Sequence, residues 1–344
     1  MDAFSDELLA STAQLNHGVG VDSGVDPELR FFATTAKLAH KRSQMPSSTT
    51  DPAIPAVFLL QPTALDSTAT SDLTRVPFLD QCREPLAGRI WIANESLNAA
   101  FFRTHDAVDN ELVELVVSLG FGTVPTVVVD PRVNGIELRY YPKGFGDLTN
   151  VLIRNLGEAT ADWPAVKATI DRATRLSLAS PHLQVNRSST WAKPASGWVA
   201  DNAEAVIQLA LRMALMFDFP VCKVEHERPL SSGRCDLSIS FYNDSDGRNK
   251  NLGVIELKVL KSRNRTGAAV SEKVNLAAVH DGYVQVLNYR EDDNFDWAAL
   301  CCFDLRTVEA DCFAAIASKA KSNKVALARW RLYRSAKELR QAAA

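Results

Sequence analysis

Ser232-Gly233-Arg234-Cys235-Asp236-Leu237-Ser238-Ile239 and, further along, Val254-Ile255-Glu256-Leu257-Lys258-Val259-Leu260 decide how this chain is read. Both stretches alternate apolar and polar residues, the period of a half-buried strand, in which residues two apart share a face. Glu256 and Lys258 therefore point one way, and Ile255, Leu257 and Val259 point into a core. In the first stretch Cys235, Leu237 and Ile239 form the apolar face, leaving Asp236 on the other. If the two strands pair, a carboxylate from each meets beside a lysine. Two carboxylates at one place repel unless a cation separates them, and hard divalent cations take such oxygen ligands. The expectation is a metal site with an amine next to it.

Working outward, residues 201–217 carry Val206, Leu209, Met213 and Met216 at helical spacing, with Asp201 or Asn202 as the cap and Glu204 in the first turn. Phe219-Pro220-Val221-Cys222-Lys223-Val224-Glu225-His226-Glu227 reads as a strand with glutamates at its end. Downstream, residues 278–289 read as a helix with Gln285 and Tyr289 four apart on one face. Residues 297–305 read as another core strand.

This order of helix, three strands, helix and strand, with Asp236 followed by Glu256-x-Lys258, resembles the PD-(D/E)xK nuclease superfamily over roughly residues 200 to 306. The proline of that family's name is replaced by Cys235, a position with no part in the metal chemistry. The resemblance implies a restriction-endonuclease-like mixed sheet flanked by helices. It implies Asp236 and Glu256 as magnesium ligands, with manganese as a substitute, and Lys258 as the residue that positions or activates the attacking water. It adds Glu204 and Glu225 as further metal-site candidates, Glu225 being preferred to Glu227 as the residue further inside its strand. Gln285 joins the catalytic set, and Tyr289 of the same helix is a nucleic-acid contact.

Two basic stretches suit a phosphate backbone, whose binding is sequence-independent and weakened by salt. One is the loop after the site, with Lys261, Arg263 and Arg265; the other is the C-terminal segment from Lys319 to Arg340, read as a basic helix. The net charge of the chain is only −3, so any positive surface is local. Six cysteines show no zinc spacing and no C-x-x-C pair, and the expected compartment is a reducing cytoplasm. No signal-peptide pattern, membrane-length apolar run or phosphate-binding glycine loop is present in the sequence.

At 344 residues there is room for two domains. The expected fold class is α/β (α+β): a polar helical segment and linker at 1–52, a separate smaller α/β domain at 53–182, a linker at 183–199, the nuclease core at 200–306 and a basic helical segment at 307–344. In the accessory half, strands are expected around residues 56–60, 89–93, 126–129 and 137–141, and helices at 110–119, 148–156 and 163–178. The activity these readings lead to is a metal-dependent nuclease, a DNA endonuclease in preference to an RNA enzyme, in a setting of prokaryotic defence or restriction. Two alternatives stay open, a sensor-effector gated by a ligand or protein partner at the N-terminal half and a silent nucleic-acid-binding or assembly module; a homodimer is open for any of these.

Overall fold

A computed structural model describes residues 26–43, 54–60, 73–77, 79, 85–132, 136–156, 161–184, 189–243 and 248–343. The expected linker at 45–52 lies outside them. The architecture is mixed α/β, in two compact units that divide between Ala159 and Thr160.

The first unit contains helix α1 (Pro27–Ser43), strands β1 (Ala56–Leu60), β2 (Thr74–Pro77), β3 (Arg89–Ala93) and β4 (Ala99–Thr104), and helix α2 (Asp109–Ser118). Strands β5 (Thr126–Asp130), β6 (Glu137–Tyr141) and β7 (Leu152–Asn155) complete it. They form one seven-stranded sheet, β2-β4-β3-β1-β5-β6-β7, antiparallel except for the parallel pair β1–β3. Leu112 and Val116 of α2 pack on Val57, Leu59, Ile90 and Ile92 on one face. The four strands expected here are present. The helix expected at 148–156 is instead a turn followed by β7, because its residues alternate in burial and pair with β6.

The second unit begins earlier than the sequence suggests. Helix α3 (Trp163–Ala173) and the hairpin β8 (Trp191–Lys193) and β9 (Trp198–Val199), expected in the accessory domain and a linker, bury Val166, Ile170, Trp191 and Val199 in the same core as Ile207 and Leu257. Next come helix α4 (Ala203–Asp218) and strands β10 (Lys223–Leu230), β11 (Gly233–Asn243) and β12 (Arg248–Lys261). Helix α5 (Glu272–Asp292), strand β13 (Trp297–Leu305), helix α6 (Ala317–Ser322), strand β14 (Val325–Arg331) and helix α7 (Ala336–Ala342) follow. The sheet runs β10-β11-β12-β13-β14, antiparallel through β12 and parallel from β12 to β14. Helices α3 and α4 cover the face carrying Ile255, Leu257, Cys301 and Phe303. Helices α5 and α6 cover the face of Val254, Leu260, Leu300 and Cys302. A parallel pair needs a crossover, and α5 supplies the one between β12 and β13.

Three expectations change here. Helix α4 buries Ile207, Leu211 and Leu215, while Leu209 stands 41% exposed. The face expected at 206, 209, 213 and 216 was not distinguishable by period alone, because leucine, isoleucine and methionine occur on every side of this helix. Cys235 packs in the α5 core although Leu237 and Ile239 lie in the other, since β11 leaves β12 between them. The C-terminal segment is not simply helical: Val325–Arg331 is the fifth strand of the sheet, with Trp330 stacked on Phe303 and donating a hydrogen bond to Asp171.

Candidate active site

The β11–β12 ladder ends at Leu237 opposite Ile255. Beyond it β11 stays with β10, and β12 continues beside β13. The gap between the diverging strands opens where Asp236 and Glu256 face each other across the extended register. Alternation directs the N–H and C=O groups of Leu257, Val259 and Lys261 into this gap. The Asp236 carboxylate accepts the first of these N–H groups, from Leu257, at 2.6 Å. The Leu257 carbonyl leaves the strand on the same side.

Glu256 and Lys258 lie two apart on one face, as expected, and the Lys258 Nζ donates to Glu256 Oε1 at 2.6 Å. Glu256 is only 3% exposed, and its second oxygen, Oε2, is buried and accepts no hydrogen bond among the described residues. A buried unpaired carboxylate oxygen is costly. Burial first, then the neighbouring Asp236 charge, pushes the Glu256 carboxyl up to about 7. Burial also raises Asp236, against the stabilising Leu257 N–H bond. Burial works against the Lys258 ammonium, but the Glu256 charge and hydrogen bond outweigh it and hold the group above its ordinary value.

The other sequence candidates divide. Glu204, in the first turn of α4, reaches the site: burial, then Asp236, raises its carboxyl, with Lys258 and Lys261 pulling the other way. Glu225 is engaged elsewhere, with Lys223 at 2.7 Å and Arg228 at 3.8 Å. The register that sets His226 against Leu237 and Arg228 against Cys235 leaves Glu227 opposite Asp236. Glu227 rather than Glu225 therefore stands beside Asp236, which feels its charge, while Glu227 itself pairs with Arg234 at 3.2 Å and holds a left-handed φ of 49°. Gln285 is exposed on α5, with no bond to the site among the described contacts. Tyr289 is 3% exposed and donates its hydroxyl to the Arg234 carbonyl at 2.9 Å, so it braces β11 from inside and offers no stacking face.

Of the basic loop, Arg263 donates to Gly267 O at 2.9 Å and Arg265 lies 3.5 Å from Asp201, both on the surface. Lys261 is half-buried beside the site. The C-terminal arginines are less available than the sequence suggests. Arg306 chelates buried Asp304, and Arg329 and Arg331 lie 3.6 and 3.4 Å from the same carboxylate.

Two residues that the sequence reading passed over hold the site. Buried Gln208 of α4 donates to the Asp236 carbonyl at 2.7 Å, and buried Asn275 of α5 bonds the Lys261 main chain. Each is a polar residue on an inward helix face, which was the available signal. Among the described residues, no three histidine, cysteine, aspartate or glutamate side chains are grouped so that together they could hold a metal ion. An open pair of carboxylates suits magnesium, which keeps several waters and takes the remaining oxygens from substrate.

Compared with known proteins, the chain matches no family model, no curated protein and no solved structure. Among the described residues, no helix is long and apolar enough to cross a membrane.

Proposed function

We propose that the second unit is a divalent-metal-dependent nuclease of the PD-(D/E)xK type, acting on DNA as an endonuclease. The observation that carries this reading is the convergence of Asp236, Glu256 and Lys258 in a gap of the sheet, with a buried Glu256 oxygen that accepts no hydrogen bond among the described residues. A cation is the natural partner for that oxygen, and Asp236 and Glu256 would hold it. Bound there, magnesium would neutralise charge on a phosphodiester and lower the pKa of a coordinated water. The chain's own part is to fix the two carboxylates and to set a charged amine beside them. Lys258 keeps its proton in the Glu256 pair, so it serves as an electrostatic and orienting group toward the phosphate or the water. Glu204, raised in pKa and close to Asp236, is suited to hold a proton at the rim. Lys261 and Arg265 give the approaching backbone positive charge. A cytoplasmic enzyme of defence or restriction is the setting this proposal favours, by analogy of site and not by any matched relative.

A second reading is favoured by the division into two compact units. In it the first unit senses a ligand or partner and gates the second. Cleavage assays of the purified full chain on supercoiled plasmid, linear duplex, single-stranded DNA and RNA, in magnesium, manganese and EDTA, test both. Metal-dependent cutting by the wild type that is lost in Lys258→Ala supports the nuclease. Silence on every substrate refutes an ungated nuclease and leaves the gated enzyme or a binding module.

A further inference from the structure

The site depends on a lysine held in one place, and helix α5 supplies the means. Beyond Ile255, strand β12 pairs with no strand on the β11 side among the described residues. Its Lys261 N–H and C=O would face a vacant edge, and buried main-chain groups left unpaired are costly. Asn275 fills that position. Its side chain, 4% exposed, accepts from Lys261 N at 3.1 Å and donates to Lys261 O at 3.1 Å. A carboxamide presents the same donor–acceptor pair as a strand backbone, whereas an ionised aspartate only accepts.

Two helical turns further along the same face lies Gly282, buried in the middle of a 21-residue helix. Glycine is unfavourable in a helix interior relative to alanine. The contact explains its presence: a Cβ on Gly282 would stand 2.8 Å from Lys258 Cε, 3.1 Å from Lys258 Cγ and 2.9 Å from Leu300 Cδ1. The lysine stem runs against the bare helix backbone on its way to Glu256 Oε1. An alanine there must displace the lysine stem, the Leu300 side chain or the helix.

We propose that Asn275 and Gly282 are positioning residues for Lys258, Asn275 by standing in for a missing strand at Lys261 and Gly282 by leaving the channel along which the lysine stem reaches Glu256. The proposal rests on the nuclease reading for its kinetic consequence only, since the placement of the amine is measurable without any reaction. Metal-free full-length protein is treated with limiting acetic anhydride, and acetylation at each lysine is followed by peptide mass spectrometry. Exposed Lys273 and Lys319 serve as internal references. In the wild type Lys258 is expected to react more slowly than both. In Gly282→Ala and in Asn275→Ala its rate is expected to rise toward theirs, with the reference rates and the circular dichroism unchanged. Asn275→Asp is expected to fall between Asn275→Ala and the wild type.

Where the wild type cuts, Gly282→Ala is expected to lose roughly 100-fold in kcat, as for a misplaced catalytic group, with KM within about twofold. Unchanged Lys258 reactivity in both Gly282→Ala and Asn275→Ala overturns the proposal. If Gly282→Ala fails to fold, Asn275→Ala decides alone. Released Lys258 in the variants of a wild type that cuts nothing upholds the positioning role and counts against an ungated nuclease alone.

Discussion

Replacing Glu256 with glutamine separates what the site costs the fold from what it does. Glu256 is almost fully buried, with one oxygen on Lys258 and the other accepting no hydrogen bond among the described residues. Burial, then Asp236, carries its carboxyl from an ordinary 4.5 to about 7. Between those values the folded protein holds a proton that the unfolded chain has released. Stability from this group is therefore greatest below pH 4.5, falls as pH rises to about 7, and stays flat above. At about 1.4 kcal/mol per pH unit, the interval amounts to about 3 kcal/mol. Glutamine keeps the size and an acceptor oxygen but carries no charge, and it leaves Lys258 without its counter-ion, which reduces the gain. In EDTA at pH 8, Glu256→Gln is expected to be more stable than the wild type by up to about 3 kcal/mol, roughly 6–12 °C for a unit of this size. At pH 5 the gap should nearly close. Magnesium should raise the wild-type transition and leave that of the variant in place. Differential scanning calorimetry of the full chain, with each transition fitted separately, measures all three. A variant that melts at or below the wild type at pH 8, or a gap equal at both pH values, refutes the reasoning that this carboxylate is held against its preference.

Three further outcomes follow from other contacts. Asp304→Asn strips the buried countercharge from Arg306, itself 2% exposed, and should cost about 3–5 kcal/mol in calorimetry. Gly253→Ala would set a Cβ 2.0 Å from Trp297 Cζ2 and displace an indole that donates to Ala161 O at 2.8 Å. A loss of about 1–3 kcal/mol is expected in urea unfolding, and no loss would mean that the indole has room to move. Lys261→Ala should lower the salt dependence of DNA binding, reducing the slope of log K against log salt by about one in a fluorescence titration.

The chain's local pattern carried a large part of this structure. Alternation at 232–239 and 254–260 identified β11 and β12 and put Glu256 with Lys258 on one face, because a strand's two-residue period is written in adjacent residues. The order α4, β10, β11, β12, α5, β13 was legible for the same reason. What lies between distant segments was not. Whether Glu225 or Glu227 stands near Asp236 depends on the register of β10 against β11, which leaves no mark in composition. Tyr289 turned inward and Gln285 outward although both lie on α5, since the helix faces are chosen by the sheet beneath them. The C-terminal arginines looked like a basic surface until β14 set Arg329 and Arg331 beside Asp304. Periodicity assigns a residue to a face. Only the separation of β11 from β12 decides which faces meet, and there it leaves Asp236, Glu256 and Lys258 in a gap bounded by Asn275 and Gly282.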